Sequence, residues 1–352
     1  MRNEKRSQLT GKLMLTLCKH TNRSMPLGSV ASAALLSVTM ALPVAAQEIQ
    51  NVSFILDWIP SGEMAAYYSG VANGFFEEEG INLSISRGYG SSDTVAKIAG
   101  GVADFGIADI AAVFTGRAVA QAPVKAISAV YTHSPHSLFV LESSGIDGFD
   151  DLEGKSIAVS AGNSHRLYFP AVAERSGIDA DKIKWVTADA SSMAALLIAK
   201  RVDAAPFFSI HEYYQNKAAE TQGEKIKVLP FVEAGFAIYS TSVIATEETL
   251  EKDPELAKKF LSALQKSLVW ANDNIDEACD LHVAAVPEVA LDDCVGSLTA
   301  MLAFVFNDSQ EEFGLGRFGQ DRLDFTYKQV AAAQDLATDF DTSTAIDESY
   351  LP

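Results

Sequence analysis

Cysteine is scarce in this chain: three in 352 residues, at positions 18, 279 and 294. No Cys/His cluster has the spacing of a zinc site, which excludes a zinc-stapled or disulfide-dense small fold. Basic charge is also short, with 27 Lys+Arg against 46 Asp+Glu. So acidic a surface repels nucleic acid and anionic lipid, but it leaves the charge of a small ligand open. Beyond the N-terminal region no apolar run is long enough to span a bilayer. The nucleophile elbow G-x-S-x-G, the phosphate-binding P-loop and H-E-x-x-H are all missing. Gly88-Tyr89-Gly90 lacks the third glycine of a dinucleotide fingerprint. Nothing positive points to catalysis, and no cofactor or metal is expected.

The N-terminus is rich where the rest is poor. Residues 1–23 carry six basic side chains (Arg2, Lys5, Arg6, Lys12, Lys19 and Arg23) against one acid, Glu4. A small, apolar stretch follows over 25–43, and then Val44-Ala45-Ala46-Gln47. That order is the pattern of a secretory signal peptide, residues 1–46, with cleavage expected after Ala46. Cys18 precedes the apolar stretch, so it is not the lipid-bearing cysteine of a lipoprotein signal. The mature chain is expected to be soluble and periplasmic. Losing the six basic residues and one acid leaves 21 Lys+Arg against 45 Asp+Glu. Residues 47–352 are enough for two lobes with sizeable cores. Cys279 and Cys294 then form an isolated pair fifteen residues apart, expected to bond in an oxidising compartment; the alternative is two separate buried thiols.

From residue 52 short apolar runs alternate with amphipathic stretches. Strands are expected at 52–56, 82–86, 103–107 and 124–131, with helices at 63–79, 92–100 and 110–120 between them. The pattern restarts with strands at 138–142, 155–160, 184–187, 204–208, 225–231 and 237–245. Helices at 164–176, 192–200 and 212–220 separate them. Such alternation indicates βαβ units and a parallel sheet. After residue 246 the chain reads as helix, at 250–272, 275–285, 291–305 and 322–339. Two α/β lobes are therefore expected, joined by two hinge crossovers at 132–137 and 233–236, with a helical C-terminal tail. Residues 47–131 plus 240–352 form lobe 1, and 132–239 form lobe 2 with the hinge segments.

Open α/β sheets bind ligands outside the carboxyl ends of their strands, so the strand-end loops are the candidate site. After the first strand, Trp58 offers a flat face and an N–H donor, or else sits as a core or hinge tryptophan. Asp57 accepts from a ligand amine or caps the loop. Tyr67 and Tyr68 are about 100° apart on a helix, so at most one faces the cleft, and Tyr68 is the candidate. After the second strand, Tyr89 and Gly90 allow close backbone approach, and Ser91 and Ser92 cap a helix or meet a ligand. Asp109 opens the third helix, as a cap or as a ligand contact. In the second lobe Asn163, Ser164, His165 and Arg166 stand at a strand-to-helix junction suited to an anion. His165 and Arg166 are neighbours on a helix and do not both face the cleft. Phe207, Phe208, Ser209 and His211 follow the last buried strand of that lobe, where an aromatic completes a sandwich around a flat ligand; Phe208 and His211 are the candidates.

Leu56-Asp57-Trp58-Ile59-Pro60, Ala65–Tyr68 and Gly74-Phe75-Phe76-Glu77-Glu78-Glu79-Gly80-Ile81-Asn82-Leu83 resemble the opening of a known family. These are the binding proteins of ABC importers of the thiamine-precursor type, whose wider group takes sulfonate, taurine and nitrate. Gly90-Ser91-Ser92, the stretch 100–106 and Leu152-Glu153-Gly154-Lys155-Ser156-Ile157 extend the likeness, which covers about residues 50–270. The resemblance implies a type II periplasmic-binding-protein fold and delivery of ligand to a membrane permease driven by a cytoplasmic ATPase. It also implies no catalysis and a monomer. Relatives hold an aminopyrimidine among aromatics, with the tryptophan at Trp58 and the loop at 89–92. They tend to carry histidine just past the D-W-x-P motif, where this chain has Glu63 and Met64. That departure points to a different flat or apolar ligand, a heterocycle or an aromatic acid. An aliphatic sulfonate or related anion is the alternative. Fungal pyrimidine synthases share the resemblance, but they act in the cytoplasm and need a cysteine-rich motif that this chain lacks. If the signal is cleaved as expected, intact-mass measurement of the exported protein finds a chain starting at Gln47; a retained 1–46 segment refutes cleavage.

Overall fold

The computed structural model describes residues 49–352; the expected signal segment and Cys18 lie outside the described residues. The first lobe begins with β1 (Gln50–Ile55), α1 (Ala65–Ala72), α2 (Phe75–Glu78), β2 (Ile81–Ser86) and α3 (Ser91–Ala99). It continues through β3 (Phe105–Asp109), α4 (Ile110–Ala120) and β4 (Val124–Ala129). The second lobe holds β5 (His136–Leu141), β6 (Ser156–Val159), α5 (His165–Arg175), β7 (Lys184–Thr187) and α6 (Met193–Ile198). It ends with β8 (Ala204–Phe208), α7 (Glu212–Glu220) and β9 (Ile226–Pro230). Then come β10 (Thr241–Thr246), α8 (Glu247–Lys252), α9 (Pro254–Asp273) and α10 (Ile275–Ala285). Last are α11 (Leu291–Val305), α12 (Asp308–Phe313) and α13 (Gln320–Gln334).

The strands form two five-stranded sheets, ordered β2-β1-β3-β10-β4 and β7-β6-β8-β5-β9. Sequence alternation predicts parallel sheets, and both are instead mixed. In the first, β1 runs parallel to β2 and β3, while β10 enters antiparallel between β3 and β4. In the second, β6 runs parallel to β7 and β8, while β5 enters antiparallel between β8 and β9. The odd strand in each case is the first one after a crossing between lobes. Both are buried along their whole length, TSVIAT in β10 and HSLFVL in β5. A strand buried on both faces reads as a continuous run rather than an alternation, so its direction is not visible in the pattern.

Apolar side chains collect in three clusters. One lies where α4, α5 and α13 meet, with Phe114, Tyr168, Phe236 and Tyr327, and it draws on both lobes. A second packs α1 and α9–α11 onto the first sheet; the Phe105 and Phe260 rings stack there at 4.2 Å. The third, around Phe139, Met193 and Phe207, belongs to the second lobe. The C-terminal helices are thus cladding for the first sheet and a strap onto α5.

Several expected helices are shorter than their periodicity. The 63–79 stretch breaks into a turn (Gly62–Met64), α1 and α2, because Gly74 adopts a left-handed φ of 76°. Glycine takes that conformation without a Cβ penalty. Pro254 starts α9 afresh, and the Asp253 carboxylate caps it by accepting from the Leu256 N–H at 3.0 Å. The last helix stops at Gln334, where Asp335 turns left-handed. Cys279 on α10 and Cys294 on α11 form a disulfide, with both residues fully buried. Its helix α11 lies hard against Gly62, where an added Cβ would come within 2.5 Å of the Cys294 Cα. The cross-link therefore supports the turn that carries Glu63 and Met64. A Cys279→Ser/Cys294→Ser variant should unfold in urea with about 3 kcal/mol less stability, from the 15-residue separation. An unchanged midpoint would show that the bond does not constrain the chain.

Candidate functional site

Four strand-end loops converge on one buried cavity between the lobes. Asp57, Trp58, Glu63 and Met64 enter from the segment after β1, Gly90 and Ser91 from the start of α3, and Tyr131 from the first crossing. Asn163, Ser164 and His165 enter from the start of α5; Pro206, Phe207, Phe208 and His211 come from β8 and the turn after it. The lobes touch closely here. Gly90 has φ 123°, and a Cβ on it would reach within 2.3 Å of Gly162 in the opposite lobe. The Ser92 N–H donates across the gap to the Gly162 carbonyl at 3.2 Å. The enclosed space is about 30 Å³, room for a water or two and far below the roughly 300 Å³ or more of an occupied ligand pocket. Admitting an aromatic ring requires the walls to move apart.

Two buried histidine–carboxylate pairs span the lobes beside this cavity. Glu63 Oε1 meets His211 Nε2 at 2.8 Å, and Ser61 Oγ donates to the same oxygen at 2.8 Å. Burial works to raise the Glu63 carboxyl, but the charge and hydrogen bond of His211 outweigh it and hold it below the usual range. Asp109 Oδ2 lies 3.2 Å from His136 Nε2, and the carboxylate also accepts from the hydroxyls of Tyr168 and Ser240. Its carboxyl is likewise held low, with His136 overcoming burial. His165 hands its ring to the Asn163 side chain at 2.9 Å and the Phe207 carbonyl at 3.0 Å. Burial, with His136 nearby, pushes its pKa well down.

Asp57 is different. It is buried and has no cation; its carboxylate accepts from Ser91 Oγ at 3.2 Å. Burial raises its pKa from 3.8 to about 7, against the Ser91 hydrogen bond and with help from the Asp109 and Glu63 charges. Near neutrality this group exists in both forms and can donate or accept a hydrogen bond. Trp58 packs against apolar clusters of both lobes. The Phe208 ring stands edge-on to Tyr131 at 6.0 Å and to His136 at 4.9 Å. The cavity is therefore aromatic on several sides, carries two carboxyls and, among the described residues, is lined by no lysine or arginine.

Asp57, Trp58, Met64, Gly90, Ser91, Asn163, Ser164, His165, Phe208 and His211 all line this space. Five other candidates do not. Tyr68 turns toward α10, where its ring meets His282 at 4.8 Å. Tyr89 is 46% exposed, with Arg87 over its face. Ser92 contributes its backbone to the lobe contact. Asp109 caps α4, accepting from Ala111 N–H at 2.8 Å, and serves the His136 pair behind the cavity. Arg166 is exposed and lies over Trp185 at 5.3 Å, so of the two neighbours His165 faces inward. Phe207, beside Phe208 at the end of β8, lines the cavity too, whereas Glu63, Tyr131 and Pro206 escape sequence reasoning. Glu63 looks like the first-turn acid of an expected helix, and Tyr131 and Pro206 read as part of expected strands.

Two mixed α/β lobes with a shared pocket at their strand ends define a solute-binding fold of the periplasmic-binding-protein type. The NMT1/THI5 like profile matches residues 61–278, and the chain belongs to that family. It is similar to the riboflavin-binding protein RibY of Chloroflexus aurantiacus, 24% identical across 97% of this chain and 95% of that one. It is also similar to 4-amino-5-hydroxymethyl-2-methylpyrimidine phosphate synthase of Legionella pneumophila, 28% identical over 68% of this chain and 75% of the relative. A formylaminopyrimidine-binding protein of Halalkalibacterium halodurans is 24% identical over 67% and 70% of the two chains. Among solved structures, the alkanesulfonate-binding protein SsuA of Xanthomonas axonopodis superposes with a TM-score of 0.67. It is 14% identical and covers 86% of this chain and 99% of that one, a likeness of fold.

The Asp57 shift has a stability consequence of definite sign. A carboxyl with a raised folded pKa binds more protons when folded, so stability falls as pH rises from about 4 to about 7. The penalty is complete above that window and is worth about 4 kcal/mol at most. Asp57→Asn should therefore flatten the decline; urea melts of both proteins at pH 5 and pH 8 check this, and parallel declines refute it.

Proposed function

We propose that this chain is the periplasmic solute-binding component of an ABC importer and that it captures a small planar heterocycle between its lobes. The observation that carries this reading is the cavity wall itself. Trp58, Phe207 and Phe208 supply flat apolar faces, and Asp57 and Glu63 supply the polar contacts. A heterocycle edge presents N–H donors and ring acceptors side by side, which a carboxyl poised near neutrality can match in either protonation state. RibY and the formylaminopyrimidine-binding protein, both named for heterocyclic ligands, support the same class. The lobes, 47–131 with 240–352 against 132–239, would open about the two crossings to admit ligand and close to bury it. Delivery is to a permease with a cytoplasmic ATPase, and the working form is a monomer.

An aliphatic sulfonate or an aromatic acid fits less well. Arg166, the cation such a ligand needs, points away over Trp185, and both carboxyls in the wall repel an anion. A synthase activity is also disfavoured, since both cysteines among the described residues are spent in the α10–α11 bridge. Thermal and urea stability should be measured with riboflavin, lumichrome, 4-amino-5-hydroxymethyl-2-methylpyrimidine and taurine in turn. A true ligand at a hundredfold excess over Kd should add about 2.7 kcal/mol. Trp58→Ala should weaken that ligand by tenfold or more, roughly what loss of a buried aromatic contact costs. Stabilisation by taurine alone would overturn the heterocycle reading.

A further inference from the structure

The lobes meet along two seams of opposite character. On one side α5 of the second lobe packs against α4 and α13 in a continuous apolar core. Phe114, Tyr168, Phe236 and Tyr327 are all buried there, and the Phe114 and Tyr327 rings meet edge-on at 5.3 Å. Arg175 on α5 donates to the Gly235 carbonyl at 3.0 Å and lies over the Phe236 ring at 4.8 Å, which fastens the helix to the second crossing. The Tyr168 hydroxyl, also on α5, donates to the buried Asp109 of the first lobe.

On the other side α7 of the second lobe lies on α11 of the first, and this contact is polar. Lys217 on α7 reaches Asp292 at 2.6 Å and Asp293 at 3.0 Å on α11, with Lys217 and Asp292 open to solvent. Tyr213, 48% exposed, covers Gly296, where an added Cβ would come within 2.7 Å of the tyrosine ring. Glycine weakens a helix interior, so Gly296 inside α11 has a packing reason: it lets the ring lie against the helix. Parting the first seam would bring buried rings into water, an unfavourable transfer that grows with their area. Parting the second exchanges surface ion pairs for hydrated ions, and such pairs contribute little.

The polar seam is also connected to the central cavity. Helix α7 begins directly after His211, which lines that cavity and meets Glu63 of the opposite lobe. Lifting α7 off α11 therefore draws His211 away from Glu63. From beneath, α11 backs the turn that carries Glu63, with the Cys294 Cα set against Gly62.

We propose that the α7–α11 seam is the clasp of the cleft: it parts to admit ligand and re-forms over it, while the α5–α13 side stays packed in both states. The proposal rests on the reading of this chain as a closing solute-binding protein and adds which side opens.

Paired spin labels on the mature protein read the motion without any ligand. Glu220→Cys/Thr299→Cys labels span α7–α11, and Glu174→Cys/Lys328→Cys labels span α5–α13; all four positions are exposed. Double electron–electron resonance should find a second, longer separation in the first pair and a single separation in the other. A clamp then tests binding. A Cβ at position 296 stands 3.2 Å from the Tyr213 Cβ, near the span of a disulfide, so Tyr213→Cys/Gly296→Cys can be oxidised across the seam. The probe is riboflavin or 4-amino-5-hydroxymethyl-2-methylpyrimidine, whichever the unaltered protein binds. The oxidised clamp should take it up about tenfold more slowly or worse, as expected when the required opening is blocked. Mild reduction, which spares the buried Cys279–Cys294 bridge, should restore the rate. A single separation across α7–α11, a second one across α5–α13, or a clamped protein that binds as fast as its reduced form overturns the clasp. If neither probe binds the unaltered protein, the heterocycle reading falls, while the label separations still decide the clasp.

Discussion

The double crossing of the chain is the constraint on which everything else in this molecule depends. After β4 the backbone leaves the first sheet, builds the second, and returns as β10. Each time, the arriving strand is inserted antiparallel into the middle of a sheet and buried along its length. The first lobe is not complete until the second has been built, because β10 follows the whole second lobe in sequence. The crossings also fix which ends of the sheets face each other. They bring the loops after β1, β6 and β8 together, and these loops are distant in sequence.

Once facing, the lobes are joined by electrostatics that tolerate burial. Glu63 with His211 and Asp109 with His136 each place an acid from one lobe against an imidazole from the other. A buried pair of this kind returns little net stability, but loss of one partner costs about 3–5 kcal/mol. It therefore penalises misalignment strongly while contributing little to the closed form itself. Gly90 and Gly162 add a steric condition, since backbone meets backbone where any side chain would hold the lobes apart. Against this, Asp57 stands without a cation; burial raises its pKa, and its hydrogen bond comes from Ser91 of its own lobe.

Much of the site could be read from residue order. Asp57, Trp58, Gly90, Ser91, Asn163 and Phe208 sit where apolar runs end and helices begin, and strand-end loops are where such sheets bind. Position on a loop is a local property, so local patterns find it. Which way a side chain points is not. His165 and Arg166 are adjacent and equally placed, and only packing sends one into the cavity and the other onto Trp185. Tyr68 meets His282, a residue more than two hundred positions away, on a helix whose place no pattern near Tyr68 records. Glu63 was hidden because an acid in a helical first turn has an ordinary explanation; its partner His211 lies in the other lobe.

The sequence by itself determined the alternation of strands and helices, the order of the two lobes, the cysteine pair and the family. These follow from periodicity, composition and short motifs, which act within a few turns of chain. Only the tertiary structure decided that both sheets are mixed, that the helical tail clads one lobe and straps the other, and that acids and histidines pair across the cleft. It also decided that, among the described residues, the central cavity is lined by aromatics and two carboxyls and by no lysine or arginine. These depend on contacts between residues remote in sequence. Such contacts exist only when the chain has crossed twice and the lobes have met.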